Sequence, residues 1–285
     1  MNPTVGWLLD EAAGQLAAQA EARREAQILL GHVLGVSRAW LAGHGDDAAD
    51  PADTATFHDL VRRRGAGEPI AYLVGRREFY GLDFRVTPDV LIPRADTETL
   101  VDAALEKLTH LPRHDVLDLG TGSGCLAITI ARQRSGARVT AVDVSAAALN
   151  VARDNAVAIG VDVEFVQDSW FKGLAGRRFD LIVSNPPYVA SEDPHLRQGD
   201  LRFEPVLALA SGKDGLSDIR LIVRQAPAHL HAGGWLLFEH GYDQADVCRD
   251  LLLDAGFSEL VSRDDIAGLR RVAGGRLLTP KSSNR

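Results

Sequence analysis

DVLDLGTGSG, residues 115–124, is the stretch on which the fold turns. Val116, Leu117 and Leu119 form a short apolar run, and glycines follow it at once. A run of that length without polar alternation predicts a strand buried on both faces. Gly120, Gly122 and Gly124 then let the chain turn through backbone angles that other residues avoid, and let backbone approach a ligand with no side chain between. Leu126, Ile128, Ile130 and Ala131 give the next segment a helical face. Strand, glycine turn and helix in succession point to an α/β fold.

The pattern continues downstream. RVTAVD (138–143), VEFVQ (163–167), FDLIVS (179–184) and GWLLFEH (234–240) predict further strands. Between them lie a helix over 145–160, capped by Ser145 and closed by Gly160, and another around 217–230. A last helix is expected near 244–255, with strands near 258–262 and 271–277. Short apolar runs alternating with helices argue for a parallel sheet covered on both faces, with ligands beyond the C-terminal strand ends. Upstream, residues 5–35 carry apolar positions at helical spacing, and Phe57, Leu60 and Val61 mark a helix over 52–64 that Gly65–Pro69 breaks. EFYGLDFRV (78–86) predicts a hairpin. The expected organisation is a helical domain over 1–75, a hairpin linker over 76–90, an α/β domain over 91–280 and a disordered tail over 281–285.

Composition narrows the class. The chain has 285 residues, 46% of them hydrophobic and 25% charged, which suffices for one large or two modest cores. A formal net charge of -8 argues against a protein built to grip nucleic acid, because neutralising phosphates calls for a basic excess. Cys125 and Cys248 are far apart and join no Cys/His cluster, so neither a metal site nor a disulfide framework is expected. The N-terminus lacks a secretory signal, no stretch is long enough to cross a bilayer, and a cytoplasmic location is expected.

Three strand ends define a nucleoside-sized cleft. The loop Gly120, Thr121, Gly122, Ser123, Gly124 misses the dinucleotide fingerprint because Cys125 takes its last position, which disfavours NAD. Asp143 ends the second strand and is placed to accept ribose hydroxyls; its bland reading is an acid at a helix start. After the third strand, Asp168 is placed for an adenine amino group and Trp170 for a flat wall, although a single tryptophan is more often core.

SNPPYV (184–189) closes the fourth strand. Two prolines end the ladder and stiffen Asn185 and Pro186 in extended geometry. Asn185 Oδ1 and the Pro186 carbonyl can both accept hydrogen bonds from one NH2 group whose lone pair is delocalised and poorly nucleophilic. Pro187 holds the segment extended, and Tyr188 can stack on a planar acceptor and exclude water. A strand-ending turn without chemistry is the alternative.

These residues resemble the class I S-adenosylmethionine-dependent methyltransferases, whose Rossmann-like seven-stranded sheet has the order 3-2-1-4-5-7-6 with the last strand antiparallel. Across nearly its whole length the chain resembles the HemK/PrmC family of protein-(glutamine-N5) methyltransferases acting on peptide chain release factors. The matching stretches are GEPIAYLVGRREFYGLDFRV (67–86), LIPRADTETLV (91–101), SNPPYV, QGDLRFEPVLAL (198–209) and LLFEHG (236–241). The resemblance implies S-adenosylmethionine as cofactor and the glutamine of a release factor's Gly-Gly-Gln motif as acceptor. It assigns substrate gripping to the N-terminal domain and makes Arg94 and Glu98 candidates for shaping the site, with a loop ion pair and a helix cap as their plain readings. A related enzyme acting on a ribosomal-protein glutamine, a nucleic-acid amino-methyltransferase and an inactive nucleotide-binding protein are the alternatives. The final hairpin, reading IAGLRRVAGGR after SRDD, departs from the family pattern. His240 is expected to be structural, and Arg62–Arg64 and Arg76–Arg77 to be solvated.

Overall fold

Thr4, Ser37 and Asp50 each start a helix in the way short polar side chains favour, by accepting a backbone N–H of the first turn. The helices they open are α1 (Val5–Gln15), α3 (Arg38–Gly43) and α4 (Pro51–Gly65); α2 (Ala22–Leu34) stops at Gly35, whose φ is 65°. A short α5 (Ile70–Val74) follows. Leu8, Leu29, Leu30 and Phe57 are fully buried in a single cluster among these helices. The sequence reading anticipates α1, α2 and α4. It misses α3 and α5, which are too short to show a period.

The computed structural model describes residues 2–108 and 113–278, so the expected tail lies outside the described residues. Two units emerge. One holds the described residues up to Arg76 together with Gln198–Phe203, and the other holds Arg77–Arg197 and those from Glu204 on.

Within the first unit Arg64 departs from the solvated helix face expected of it. It is 6% exposed. Its guanidinium donates to Glu25 through Nε and Nη2 at 2.9 and 2.8 Å, and to Asp200 at 3.0 Å. Further bonds reach Gln19 and the Glu68 carbonyl. Arg62 and Arg63 instead pair near the surface with Asp59 and Glu68.

The hairpin of β1 (Arg76–Phe79) and β2 (Leu82–Arg85), all but its first residue in the second unit, is followed by α6 (Glu98–Lys107), a helix the sequence reading does not assign. The α/β alternation follows: β3 (His114–Leu119), α7 (Cys125–Gln133), β4 (Ala137–Asp143), α8 (Ala146–Ile159), β5 (Glu164–Gln167), β6 (Phe179–Ser184), α9 (Ser217–Gln225), β7 (Leu230–Glu239), α10 (Ala245–Asp254), β8 (Phe257–Asp264) and β9 (Arg270–Leu277). The sheet order is β5-β4-β3-β6-β7-β9-β8. Counted from β3 as the first strand, this is 3-2-1-4-5-7-6, with β9 antiparallel to both neighbours. The order and the antiparallel strand are those expected. The departing IAGLRR stretch leaves both strands of the final hairpin in place.

Alternation along the strands fills both faces. Val116, Leu181, Val183 and Leu237 pack on the side of α6, α7 and α8. Leu117, Ile182, Leu236 and Phe238 pack on the side of α9 and α10. Asn155 on α8, 1% exposed, donates to the carbonyls of Ser123 and Arg85 and accepts from Arg85 N. One buried side chain thus ties the glycine loop to the hairpin. No helix among the described residues is long and apolar enough to cross a membrane.

Candidate active site

Register brings the site residues to one edge. Val142, Leu119, Ser184 and Phe238 are hydrogen-bonded neighbours across four parallel strands. The next residue on each strand is Asp143, Gly120, Asn185 and Glu239, a row at the C-terminal end of the sheet. A cavity of about 420 Å³ opens there, bordered by Gly120, Gly122, Asp143, Trp170, Asn185 and Arg94 among others. Thr121, Ser123, Asp168 and Pro187 also line it.

The glycine loop runs under one wall. Gly120, Gly122 and Gly124 have φ of 72°, 55° and 84°, which side-chain-bearing residues rarely adopt. Gly124 does not line the cavity. A Cβ there would stand 2.7 Å from Ile128 Cδ1 and 3.1 Å from Ala152 Cβ, so this glycine serves the close packing of α7 on α8. Above Gly120 lies the Trp170 ring, 3.3 Å from where a Cβ would be. Trp170 itself has a φ of 55°, local strain that the fold maintains at the cavity wall. It packs against the core cluster and lines the cavity at the same time.

Asp143 organises the loop. Its Oδ2 accepts from Gly122 N and its Oδ1 from Ser145 N, both at 2.9 Å. Each oxygen keeps further acceptor capacity on the cavity side. Burial pushes the Asp143 carboxyl up, and those backbone bonds oppose the shift. Asp168 is less available: Oδ1 accepts from Ser169 N at 2.6 Å and Oδ2 is turned toward Gly173.

Asp118, which the sequence reading passed over, lies fully buried beneath the loop. Its Oδ2 accepts from the Thr121 hydroxyl at 2.6 Å and from Ala127 N at 3.2 Å. Oδ1 has no partner among the described residues, and burial pushes the carboxyl up to about 7.

The other wall is a hydrogen-bonded chain. Asn185 Nδ2 donates to Thr97 Oγ1 at 3.1 Å, and Thr97 Oγ1 donates to Glu239 Oε2 at 2.6 Å. Tyr188 Oη donates to Glu239 Oε1 at 3.0 Å, while Gln244 Nε2 donates to the Tyr188 carbonyl at 3.0 Å. Thr97 and Glu239 are each 1% exposed. Burial pushes the Glu239 carboxyl up; Thr97, Tyr188 and Arg271 counter it. Pro186 is buried, and neither it nor Tyr188 lines the cavity; the phenol turns inward to Glu239. Arg94 lines the cavity and pairs with Glu204, whose other oxygen accepts from Ile92 N at 3.0 Å. Glu98 lies elsewhere, accepting from Tyr80 N at 2.9 Å at the start of α6. His240 is buried with Nδ1 2.7 Å from the Gly241 carbonyl, away from the cavity lining.

Thr97, Glu204 and Glu239 were not singled out from sequence. A carboxylate closing a buried strand, as in LLFEHG, is the signal that could have pointed to Glu239.

Comparison with known proteins agrees with this architecture. Residues 96–199 match the family Methyltransferase small domain, and residues 8–75 match the PrmC N-terminal domain. A release factor glutamine methyltransferase of Xylella fastidiosa is 52% identical over 92% of this chain and 96% of its own. One from Bordetella pertussis is 52% identical over 90% and 95%. Among solved structures, a 16S rRNA methyltransferase from T. thermophilus in complex with AdoMet and guanosine has the same fold. Its TM-score is 0.52 at 22% identity, over 70% of this chain and 49% of that one. With identity above half across almost the full length of both chains, and the expected strand order in place, the chain belongs to the release factor glutamine methyltransferase family.

Proposed function

We propose that the protein transfers a methyl group from S-adenosylmethionine to the side-chain amide nitrogen of the Gly-Gly-Gln glutamine in a peptide chain release factor. The observation that carries this reading is the Asn185 amide, held by Thr97 through its nitrogen end beside the cavity that the glycine loop and Asp143 also line. The names of the full-length relatives support the substrate.

The cavity residues fit the methyl donor. Its volume of about 420 Å³ suits a nucleoside-sized ligand. Asp143 offers acceptor capacity to ribose hydroxyls, Gly122 has open space where a side chain would stand, and Trp170 provides an apolar wall. Bound there, the donor supplies an electrophilic methyl on a sulfonium.

The acceptor is the harder partner, because the lone pair of a carboxamide nitrogen is delocalised. Asn185 Oδ1, on the cavity side, accepts from one of its N–H bonds, orients the amide and favours the positive charge that grows on nitrogen during attack. Both protons stay on the nitrogen until bond formation has begun; the methylated nitrogen is then strongly acidic and gives up one proton to solvent, leaving the neutral N-methyl amide, so no basic side chain has to start the reaction. Arg94, set by Glu204, borders the same space and shapes the acceptor's entry. Tyr188, fixed at its hydroxyl and its carbonyl, keeps the segment rigid before substrate arrives. A net charge of -8 favours a protein over a nucleic acid as substrate.

The test incubates the purified enzyme with a release factor and labelled donor and maps the product by mass spectrometry. One methyl on the Gly-Gly-Gln glutamine is expected. Asn185→Ala is expected to lower turnover by roughly 100- to 1,000-fold, the scale of losing one preorganised polar contact in a transition state, while donor affinity stays within a few-fold. Methyl found on another residue, or full turnover in Asn185→Ala, would overturn the reading.

A further inference from the structure

We infer that Thr97 and Glu239 are positioning residues that decide which end of the Asn185 amide faces the cavity; the inference rests on the role proposed for Asn185. The oxygen and nitrogen ends of a carboxamide have nearly the same shape, so packing cannot choose between them. Hydrogen-bond polarity can, because one end only accepts and the other only donates.

The polarity originates at Glu239. Two hydroxyl groups converge on its carboxylate, Tyr188 on Oε1 at 3.0 Å and Thr97 on Oε2 at 2.6 Å. Both hydroxyls donate to its two oxygens, so each has committed its single proton there. Thr97 Oγ1 then has lone pairs alone to offer its other neighbour. The 3.1 Å contact with Asn185 must therefore run from Nδ2 to Oγ1. A flipped amide would set Oδ1 against an oxygen with no proton left.

Burial makes the choice stringent. Thr97 and Glu239 are 1% exposed, which leaves no bulk water to satisfy the wrong orientation. Burial pushes the Glu239 carboxyl up; the Thr97 and Tyr188 hydroxyls and Arg271 counter that, and Asp96, 3.7 Å from Arg271, adds to it. Oδ1 of Asn185 has no partner among the described residues and is left for the cavity. The three residues sit far apart in sequence, on the turn before α6 and at the ends of β6 and β7. The fold alone assembles the relay.

Two variants isolate the effect. Thr97→Val keeps the shape and removes the hydroxyl; Thr97→Ser keeps the hydroxyl. In 15N–1H spectra the Asn185 side-chain NH2 signals, identified by their disappearance in Asn185→Ala, are expected to shift in Thr97→Val and hold their place in Thr97→Ser. Turnover with a release factor is expected to fall about tenfold in Thr97→Val, the value of roughly one hydrogen bond, with the KM for donor unchanged. Thr97→Ser is expected to restore turnover to within about threefold. Glu239→Leu is expected to reproduce the Thr97→Val pattern.

Wild-type kcat in Thr97→Val, or unmoved Asn185 NH2 signals, overturns the inference. A loss of donor affinity and melting temperature that Thr97→Ser fails to rescue overturns it as well, by revealing a purely structural role. If Asn185→Ala itself keeps wild-type turnover, the fault lies with the proposed role of Asn185. If Asn185→Ala is impaired and Thr97→Val is not, only the relay is wrong.

Discussion

Tyr188 and Glu239 meet at 3.0 Å, the hydroxyl of the first donating to a carboxylate that the fold has removed from water. Burial and this neighbour together push the Tyr188 hydroxyl well above its ordinary pKa, so it remains a donor throughout the working range. The tyrosine of the NPPY segment is thus anchored by its polar end while its ring packs against the core cluster on the α9 and α10 side.

Tyr188→Phe tests that division. It keeps the ring and deprives Glu239 of one donor, which for a buried charged acceptor costs about 1–3 kcal/mol. The expected result is a melting temperature lower by several degrees, with turnover falling far less than in Tyr188→Ala. Calorimetric scanning and a methyl-transfer assay on the two variants check it, and an unchanged melting temperature in Tyr188→Phe would count against the bond.

Asp143→Ala removes the carboxylate that holds Gly122 N and Ser145 N and that faces the cavity. Hydrogen bonds to a charged group are worth about 1.5–3 kcal/mol, so affinity for S-adenosylhomocysteine is expected to drop by one to two orders of magnitude. Titration calorimetry is the measurement. Affinity within twofold of wild type would remove Asp143 from the donor site.

Asp118 gives a pH signature. Its carboxyl rises from the ordinary 3.8 to about 7 through burial, so the native state binds this proton more tightly than the unfolded chain does. The group's contribution to stability therefore declines as pH climbs from about 4 to about 7, by a few kcal/mol at most. Asp118→Asn, which cannot ionise, is expected to gain stability relative to wild type between pH 5 and pH 8. Denaturant unfolding at both pH values measures the change, and parallel behaviour of the two proteins would refute the burial argument.

Arg64→Met leaves Glu25 without its buried counter-charge and Asp200 without its partner. Breaking a buried pair from one side costs roughly 3–5 kcal/mol. A lowered unfolding midpoint is expected, and Arg64→Lys is expected to recover only part of it, because an ammonium cannot reproduce the guanidinium fork. Full recovery by lysine would show that charge alone matters there.

The strand-loop-helix core was legible because its signals are local. Leu117 and Leu119 are buried on a parallel strand, and Gly120 and Gly122 turn through φ values reserved largely for glycine. Asp143 could be placed because it ends its strand. Thr97 and Glu239 were hidden for the opposite reason: their bond joins residues 142 positions apart, and a buried carboxylate becomes tolerable only when donors arrive from other strands. Arg64 was misread on the same ground, since an arginine run on a helix looks solvated until Glu25 and Asp200 are seen to close over it. Helix α6 carries a period in Leu100, Val101 and Ala104, but its start at Glu98 falls inside LIPRADTETLV, where proline and a cluster of charges mask the helical signal.

Gln198–Phe203 groups with the first unit although it falls between the NPPY segment and Glu204 in the chain. The helical region is consequently not a detachable cassette. A truncation beginning at Arg77 would strip Asp200 of Arg64 and Arg202 of its bond to the Ala66 carbonyl, and so strand a six-residue stretch next to the residues that define Arg94. Exchanging the helical region between relatives would accordingly require moving both pieces of sequence together.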